Sequence, residues 1–486
     1  MQPEIETQVR VRFAPSPTGY PHLGNIRTAL FNWLFARHHG GTFILRLEDT
    51  DVARRVDGAV EAVLDSLQWL GLNWDEGPYF QSTRLPLYHE VASRLLKEGH
   101  AYLCYCSPER LEEMRREQMK RKQPPRYDRH CRNLTQHERF QIEASGISPV
   151  IRFKTPLEGE TTFHDLIHGP ITFNHDTLDD FILMKSDSYP TYHLASIVDD
   201  HLMAISHVLR ADEWLSSTPR HVLLYQALNW KLPEFAHLPM ILGPDRAKLS
   251  KRHGATTITE YQRQGYLPNA MMNFLVLLGW SLDDHTELLS QEELIKYFSL
   301  KRVGKTAAIF NKDKLEWMNG VYLRKLSPDA FVRQAKPFLD RDLPNSIGRP
   351  LDIDYIGQIM PLIQERAKTL AEVPQLVDFF FLGDLQYDTN LLLSDGLDTE
   401  AAANVIAITS RNLEETATWD AISLENLLRP MAIELNLSTR KFFGLLRTAT
   451  TGRIAAPPLF QTMVVLGKGK CLRRLNIALQ RLTKSI

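Results

Sequence analysis

The sequence predicts an α/β fold: a doubly wound parallel sheet, interrupted by an α+β insertion and followed by domains built of helices alone. Three observations predict it. Strand and helix patterns alternate through residues 9–70, as in a unit that lays helices on a parallel sheet. Residues 104–131 break the alternation with three of the chain's four cysteines and a highly basic run. Past residue 255 amphipathic helical patterns take over, and from about residue 328 onward the chain is almost wholly helical.

Residues 9–37 read as strand, loop, helix. Val9, Val11 and Phe13 alternate with Arg10 and Arg12, the period of a half-buried strand. Pro15 and Pro17 then end strand pairing, because proline has no N–H for the ladder. Gly19 and Gly24 let the backbone come close to a ligand. Ile26, Ala29, Leu30, Trp33 and Leu34 recur at helical spacing, so residues 22–25 form a helix N-terminus, where free N–H groups and the dipole favour a phosphate. Geometry alone leaves a plain proline-rich turn equally open.

Residues 42–47 form a buried strand with Glu48, Asp49 and Asp51 at its carboxyl end, where open α/β sheets bind ligands. Asp51 is as well explained as a cap for the next helix; Glu48 is suited to hold the ammonium of an amino acid. Val56, Val60, Val63, Leu64, Leu67 and Leu70 mark that helix.

The insertion begins after Glu98. Cys104 and Cys106 precede a basic helical run over residues 109–122, and Tyr127 and Cys131 follow. A Cys-x-Cys pair with a third cysteine suggests zinc, which takes four tetrahedral ligands, with Tyr127, His130 and His137 as candidates for the fourth. Three reduced cysteines in a metal-free insertion are the other reading. Residues 150–174 alternate like a small sheet, with turns at Gly159 and Gly169.

Residues 180–185 are expected to be a strand and 192–200 a helix. Residues 206–209 form a further strand that brings Arg210 to the crevice faced by Glu48, and Ser217, Thr218 and Pro219 cap and open the next helix. A strand over 238–242 runs into a basic loop, Lys248, Leu249, Ser250, Lys251 and Arg252. Such a loop is most often a solvated turn, but its lysines can neutralise charge that develops as pyrophosphate leaves.

Helical patterns follow over 267–280, 291–298 and 311–320. The remainder is helical, punctuated by Pro337, Pro344, Pro361, Pro374, Pro430 and the pair Pro457 and Pro458. No acidic residue follows Glu434, whereas Arg440, Lys441, Arg447, Arg453, Lys468, Lys470, Arg473, Arg474, Arg481 and Lys484 do. Ten basic residues without counter-charge point to a polyanion partner. Apart from His22, the seventeen histidines read as structural or surface residues.

With 486 residues, 43% hydrophobic and 24% charged, the chain is long enough for several cores. No apolar run approaches the ~20 residues of a membrane span, and the N-terminus lacks a signal-peptide pattern. Four cysteines argue for a reducing, cytoplasmic compartment rather than a disulfide framework. A net charge of −1 means that any nucleic-acid surface arises from segregated charge.

The segment PSPTGYPHLGN, residues 15–25, resembles the first signature of class I aminoacyl-tRNA synthetases in its glutamyl and glutaminyl form, and KLSKR, residues 248–252, resembles the second. Together with residues 179–202 and the basic C-terminus, they make the whole chain similar to bacterial glutamyl-tRNA synthetases. That resemblance implies a class I synthetase Rossmann-type catalytic domain in two halves, 1–103 and 191–255. Around an acceptor-binding insertion over 104–190 it adds a helical stem-contact domain over 256–327 and an anticodon-binding region over 328–486. It implies activation of L-glutamate by ATP with Mg2+, then transfer to the 3′-terminal ribose of tRNA(Glu), by a cytoplasmic monomer without a membrane partner. Pro15, Gly19, His22, Gly24, Asn25, Lys248, Ser250 and Lys251 would surround ATP, with His22, Lys248 and Lys251 catalytic. Arg12, Ser16, Glu48, Tyr192 and Arg210 would hold glutamate.

The spacing of Tyr127 and Cys131 resembles the zinc knot of a short relative, so the implied Zn2+ ligands are Cys104, Cys106, Tyr127 and Cys131. The histidine that usually follows the third cysteine by two is replaced by Asn133. Arg366, Arg440, Lys441 and Arg447 are the candidate tRNA contacts. Some members charge tRNA(Glu) only and others tRNA(Gln) as well, and both readings stand. A glutaminyl enzyme fits less well, because its bacterial form carries C-terminal β-barrels. A catalytically inactive tRNA-binding paralogue is the remaining alternative.

Overall fold

Strand β1 (Arg10–Phe13) pairs in parallel with β2 (Thr42–Leu47), and helix α1 (Leu23–His38) connects them. The structure, a computed structural model, describes residues 8–144, 146–250, 252, 257–393 and 396–484. After β2 come α2 (Ala59–Trp69) and β3 (Glu76–Phe80), which extends the parallel sheet in the order β1-β2-β3. Helix α1 is buried nearly all round, since it lies on β1 with one side and on two later helices with the other. Most of its buried side chains are apolar, and the two polar ones, Arg27 and Asn32, donate to the backbone carbonyls of Leu278 and Leu209.

Next are α3 (Leu85–Lys97), β4 (Ala101–Cys104), α4 (Pro108–Lys120), α5 (Gln136–Glu143), β5 (Val150–Phe153), β6 (Glu160–Asp165), β7 (Gly169–Asn174) and β8 (Ile182–Met184). Strands β4, β5 and β8 form an antiparallel sheet. The β6/β7 hairpin does not join it. Asp165 of β6 registers with Phe235 of a later strand instead, so the hairpin forms the edge of a four-stranded sheet. Gly159 and Gly169 turn the chain with φ of +91° and +86°, values that glycine tolerates best.

The chain continues with α6 (Tyr192–Leu202), β9 (His207–Ala211), α7 (Thr218–Ala227), β10 (Glu234–Leu238) and β11 (Ile241–Leu242). Strands β9 and β10 are parallel. Ser206 stitches this sheet to the first, its N–H donating to Arg10 O at 2.9 Å and its Oγ accepting from Arg10 N at 2.8 Å. The expected strand over 238–242 thus falls mainly earlier, on EFAHL, because Pro239 cannot donate to a ladder. Ser217 caps no N–H with its side chain; a 3-10 turn over Asp212–Ser217 leads directly into α7.

Helices α8 (Ile258–Arg263), α9 (Pro268–Leu277), α10 (Gln291–Tyr297) and α11 (Lys312–Arg324) follow, with strand β12 (Ala308–Ile309) paired to β11. Contacts divide the chain into two compact units, 1–261 with 268–312, and 262–267 with 313–486. Among its described residues the second unit continues as helices only: α12 (Pro328–Asp342), α13 (Ile353–Ile363), α14 (Val373–Phe381), α15 (Thr399–Glu415), α16 (Ala421–Glu434), α17 (Thr439–Thr451), α18 (Leu459–Leu466) and α19 (Lys468–Thr483). Pro337, Pro361 and Pro430 lie inside helices rather than between them. Each forfeits one backbone hydrogen bond, which tertiary burial of residues such as Phe331, Ala335 and Leu339 offsets. Among the described residues no helix is long and apolar enough to cross a membrane.

Candidate active site

A cleft opens where β1, β2 and β9 end and α1 begins, walled by Arg12, Pro15, His22, Gly24, Asn25, Glu48, Tyr192, Arg210, Glu213, Trp214 and Lys248. Ser16, Gly19 and Ser250 are not among its wall residues. Lys251 lies outside the described residues.

His22 is the N-cap of α1. Its Nδ1 accepts from Gly24 N at 3.1 Å and Asn25 N at 3.3 Å, while Asn25 Oδ1 accepts from His22 N at 3.2 Å. The N–H groups expected to be free for a phosphate are therefore capped by the imidazole itself. With Nδ1 an acceptor, the ring proton sits on Nε2, a donor. Partial burial and the charge of Lys248 lower the His22 pKa, keeping the ring neutral. A side chain at Gly24 would sit 3.0 Å from this ring, so glycine permits the cap.

Arg12 does not point outward, as strand alternation alone would have it. It is buried, donating from Nε to Asp200 Oδ1 at 2.9 Å and from Nη2 to Oδ2 at 3.1 Å. Arg46 donates from Nη1 to the same carboxylate at 2.7 Å and from Nη2 to Glu48 Oε1 at 3.2 Å. Asp199 takes Gln81, Arg84 and Tyr88. Arg12, Arg46 and Arg84 thus balance Glu48, Asp199 and Asp200, as a buried charge cluster requires. Sequence reading missed Arg46, Asp199 and Asp200. Burial raises the Glu48 pKa to about 6 against the pull of Arg46 and Arg12, which leaves a carboxylate at neutral pH.

Arg210 is the opposite case. It is 5% exposed, and its described hydrogen-bond partners are all neutral: Tyr192 OH at 2.9 Å, Thr218 Oγ1 at 2.9 Å, His237 Nε2 at 3.1 Å, His221 Nδ1 at 3.3 Å and Trp214 O at 3.4 Å. A buried cation without a carboxylate has its charge left over for a ligand. Lys248 is compensated for now, with Nζ 2.6 Å from Glu213 Oε2, but both side chains are exposed. Such a pair is worth ~0–1 kcal/mol and gives way readily to a triphosphate.

In the insertion, the Sγ atoms of Cys104, Cys106 and Cys131 lie within 4.8 Å of one another. Tyr127 Oη is 3.2 Å from Cys104 Sγ and 3.5 Å from Cys106 Sγ. His130 and His137 are absent from this group. Hydrogen bonds from Cys106 and Cys131 hold the Cys104 thiol below its ordinary pKa. Arg152 stacks on the Tyr127 ring at 3.8 Å and Arg110 donates to Cys106 Sγ. Three sulfurs and a phenol so spaced match the donor set and the spacing of a tetrahedral zinc ion.

Half of the C-terminal basic residues turn inward. Arg453, Lys468, Lys470, Arg474 and Arg481 donate to backbone carbonyls of the same unit, and Arg474 is buried. The polyanion reading holds no argument for these five. Arg440 is exposed, Lys441 and Arg447 are half-buried on α17, and Arg366 is exposed in the turn after α13 rather than within a helix.

Family models match the two parts of the chain separately: tRNA synthetases class I (E and Q), catalytic domain, over residues 8–317, and an anticodon binding domain over residues 330–479. The chain belongs to the class I tRNA synthetases of the glutamate and glutamine branch. A glutamate–tRNA ligase from Dehalococcoides mccartyi is 55% identical over 99% of both chains, and one from Moorella thermoacetica is 47% identical over 97% of this chain and 98% of its own. A crystal structure of a glutamate tRNA ligase from Elizabethkingia meningosepticum, in complex with its amino acid, superposes with a TM-score of 0.89 at 35% identity, covering 98% of this chain and all of that one. Within the class, this chain's family is that of the glutamate–tRNA ligases.

Proposed function

We propose that this cleft activates L-glutamate with ATP and passes the glutamyl group to tRNA(Glu). ATP enters with its magnesium ion. The Nε2–H of His22 donates to a phosphate oxygen, and Lys248 exchanges Glu213 for the triphosphate, joined by Lys251 and Ser250 of the same loop. Glu48 takes the substrate ammonium. Arg12, next to Glu48 but compensated by Asp200, lies towards the α-carboxylate; Arg210 meets the side-chain carboxylate. The α-carboxylate oxygen attacks the α-phosphorus, and the bond to the bridging pyrophosphate oxygen breaks. The 3′-terminal ribose hydroxyl then attacks the carbonyl and expels AMP. Positioning and charge stabilisation suffice for both steps.

The single observation that carries this reading is the buried, uncompensated guanidinium of Arg210. Arg210→Ala is expected to cut glutamate-dependent pyrophosphate exchange, measured with tRNA present, by roughly a hundredfold or more. ATP binding is retained. Unchanged exchange would sink the pocket assignment.

Residues 104–190 would receive the acceptor end, with Cys104, Cys106, Tyr127 and Cys131 holding a Zn2+ whose contribution is a structural cross-link. Residues 256–327 would follow the stem. Arg366, Arg440, Lys441 and Arg447 would meet tRNA within 328–486, and Arg366 would bear on whether tRNA(Gln) is also charged. Action as a cytoplasmic monomer belongs to the same reading.

A further inference from the structure

A guanidinium can only donate hydrogen bonds. The two imidazole nitrogens that face Arg210, His237 Nε2 at 3.1 Å and His221 Nδ1 at 3.3 Å, must therefore present lone pairs. At His237 that choice is enforced from behind. Its Nδ1 lies 2.6 Å from Asp165 Oδ2, both side chains are fully buried, and Asp165 Oδ1 is itself fixed by Ile167 N and His168 N, each at 2.9 Å. The proton is thus held on Nδ1, and the Nε2 lone pair is free to accept from Arg210 Nε. At His221 the proton falls on Nε2, which donates to His193 Nδ1 at 3.2 Å. Burial keeps both rings neutral, with His237 lowered to about 4 and His221 well below its ordinary value.

This arrangement orients Arg210 without cancelling its charge. A carboxylate in direct contact would orient it equally well but neutralise it, and the site would then hold a side-chain carboxylate and a carboxamide alike. Asp165 instead sits one imidazole away.

We propose that Asp165, His237 and His221 are positioning residues for amino-acid specificity: they fix Arg210 through neutral acceptors so that its full positive charge selects glutamate over glutamine. The inference rests on Arg210 as the side-chain contact.

The test compares His237→Ala, His237→Gln and His221→Asp with Arg210→Ala in pyrophosphate exchange with tRNA, with melting curves for each. His237→Ala is expected to raise the KM for glutamate about tenfold or more while the KM for ATP changes less than about twofold. His237→Gln, whose Oε1 restores the acceptor, recovers most of that loss. His221→Asp, which sets a carboxylate on Arg210, lowers kcat/KM for glutamate and narrows the ratio of glutamate to glutamine. If His237→Ala does not fold, the other two variants decide. Folded His237 and His221 variants with an unchanged KM and ratio, beside an Arg210→Ala that loses glutamate, overturn the inference alone. An Arg210→Ala that keeps its KM for glutamate overturns both.

Discussion

His22 has two ring nitrogens for different ends: Nδ1 closes the first turn of α1, which leaves the Nε2 donor for the cleft that His22 lines. The two roles separate by substitution. Asparagine is among the best N-caps, so His22→Asn keeps the helix end, whereas His22→Ala costs about 1 kcal/mol of stability. Both variants lose the Nε2 donor and are expected to slow pyrophosphate exchange by about a hundredfold or more. Full exchange by a stable His22→Asn would remove His22 from the phosphate site. The helix start itself was legible in the sequence, but the self-capping was not, since periodicity carries no rotamer information. Arg12 shows the same limit. Its place on β1 fits an outward residue, yet Asp200, 188 residues on, draws it inside. The three histidines around Arg210 come from α6, α7 and β10, so no local pattern could assemble them.

At the scale of elements, strands with continuous apolar runs were legible to the residue, as β2 was. Pairing partners were not. Asp165 meets His237 72 residues away, and nothing within residues 160–174 says that the hairpin leaves the insertion for the catalytic sheet. The cysteine cluster was legible because its spacing is local. Its metal is testable: purified protein is expected to carry about one zinc per chain by elemental analysis. Cys131→Ala is expected to abolish that content and to lower the melting temperature. Metal-free wild-type protein, or full zinc in Cys131→Ala, would restore the reading of three plain thiols.

For the whole molecule, the order of signatures was enough to set the class, since two motifs at the expected separation specify a cleft that neither specifies alone. Charge asymmetry was a weaker guide. The basic C-terminus spends Arg453, Lys468, Lys470, Arg474 and Arg481 on carbonyl groups, many at helix ends, where cations satisfy orphan acceptors. Composition cannot tell such a cation from one that meets phosphate. The central claim is the ligase reaction, and aminoacylation with labelled glutamate, ATP and Mg2+ tests it most directly, with tRNA(Glu) and tRNA(Gln) offered separately. Charging of tRNA(Glu) is the predicted result, and the response of tRNA(Gln) reports whether the chain discriminates between the two. Charging of neither would contradict the account and leave only a tRNA-binding protein.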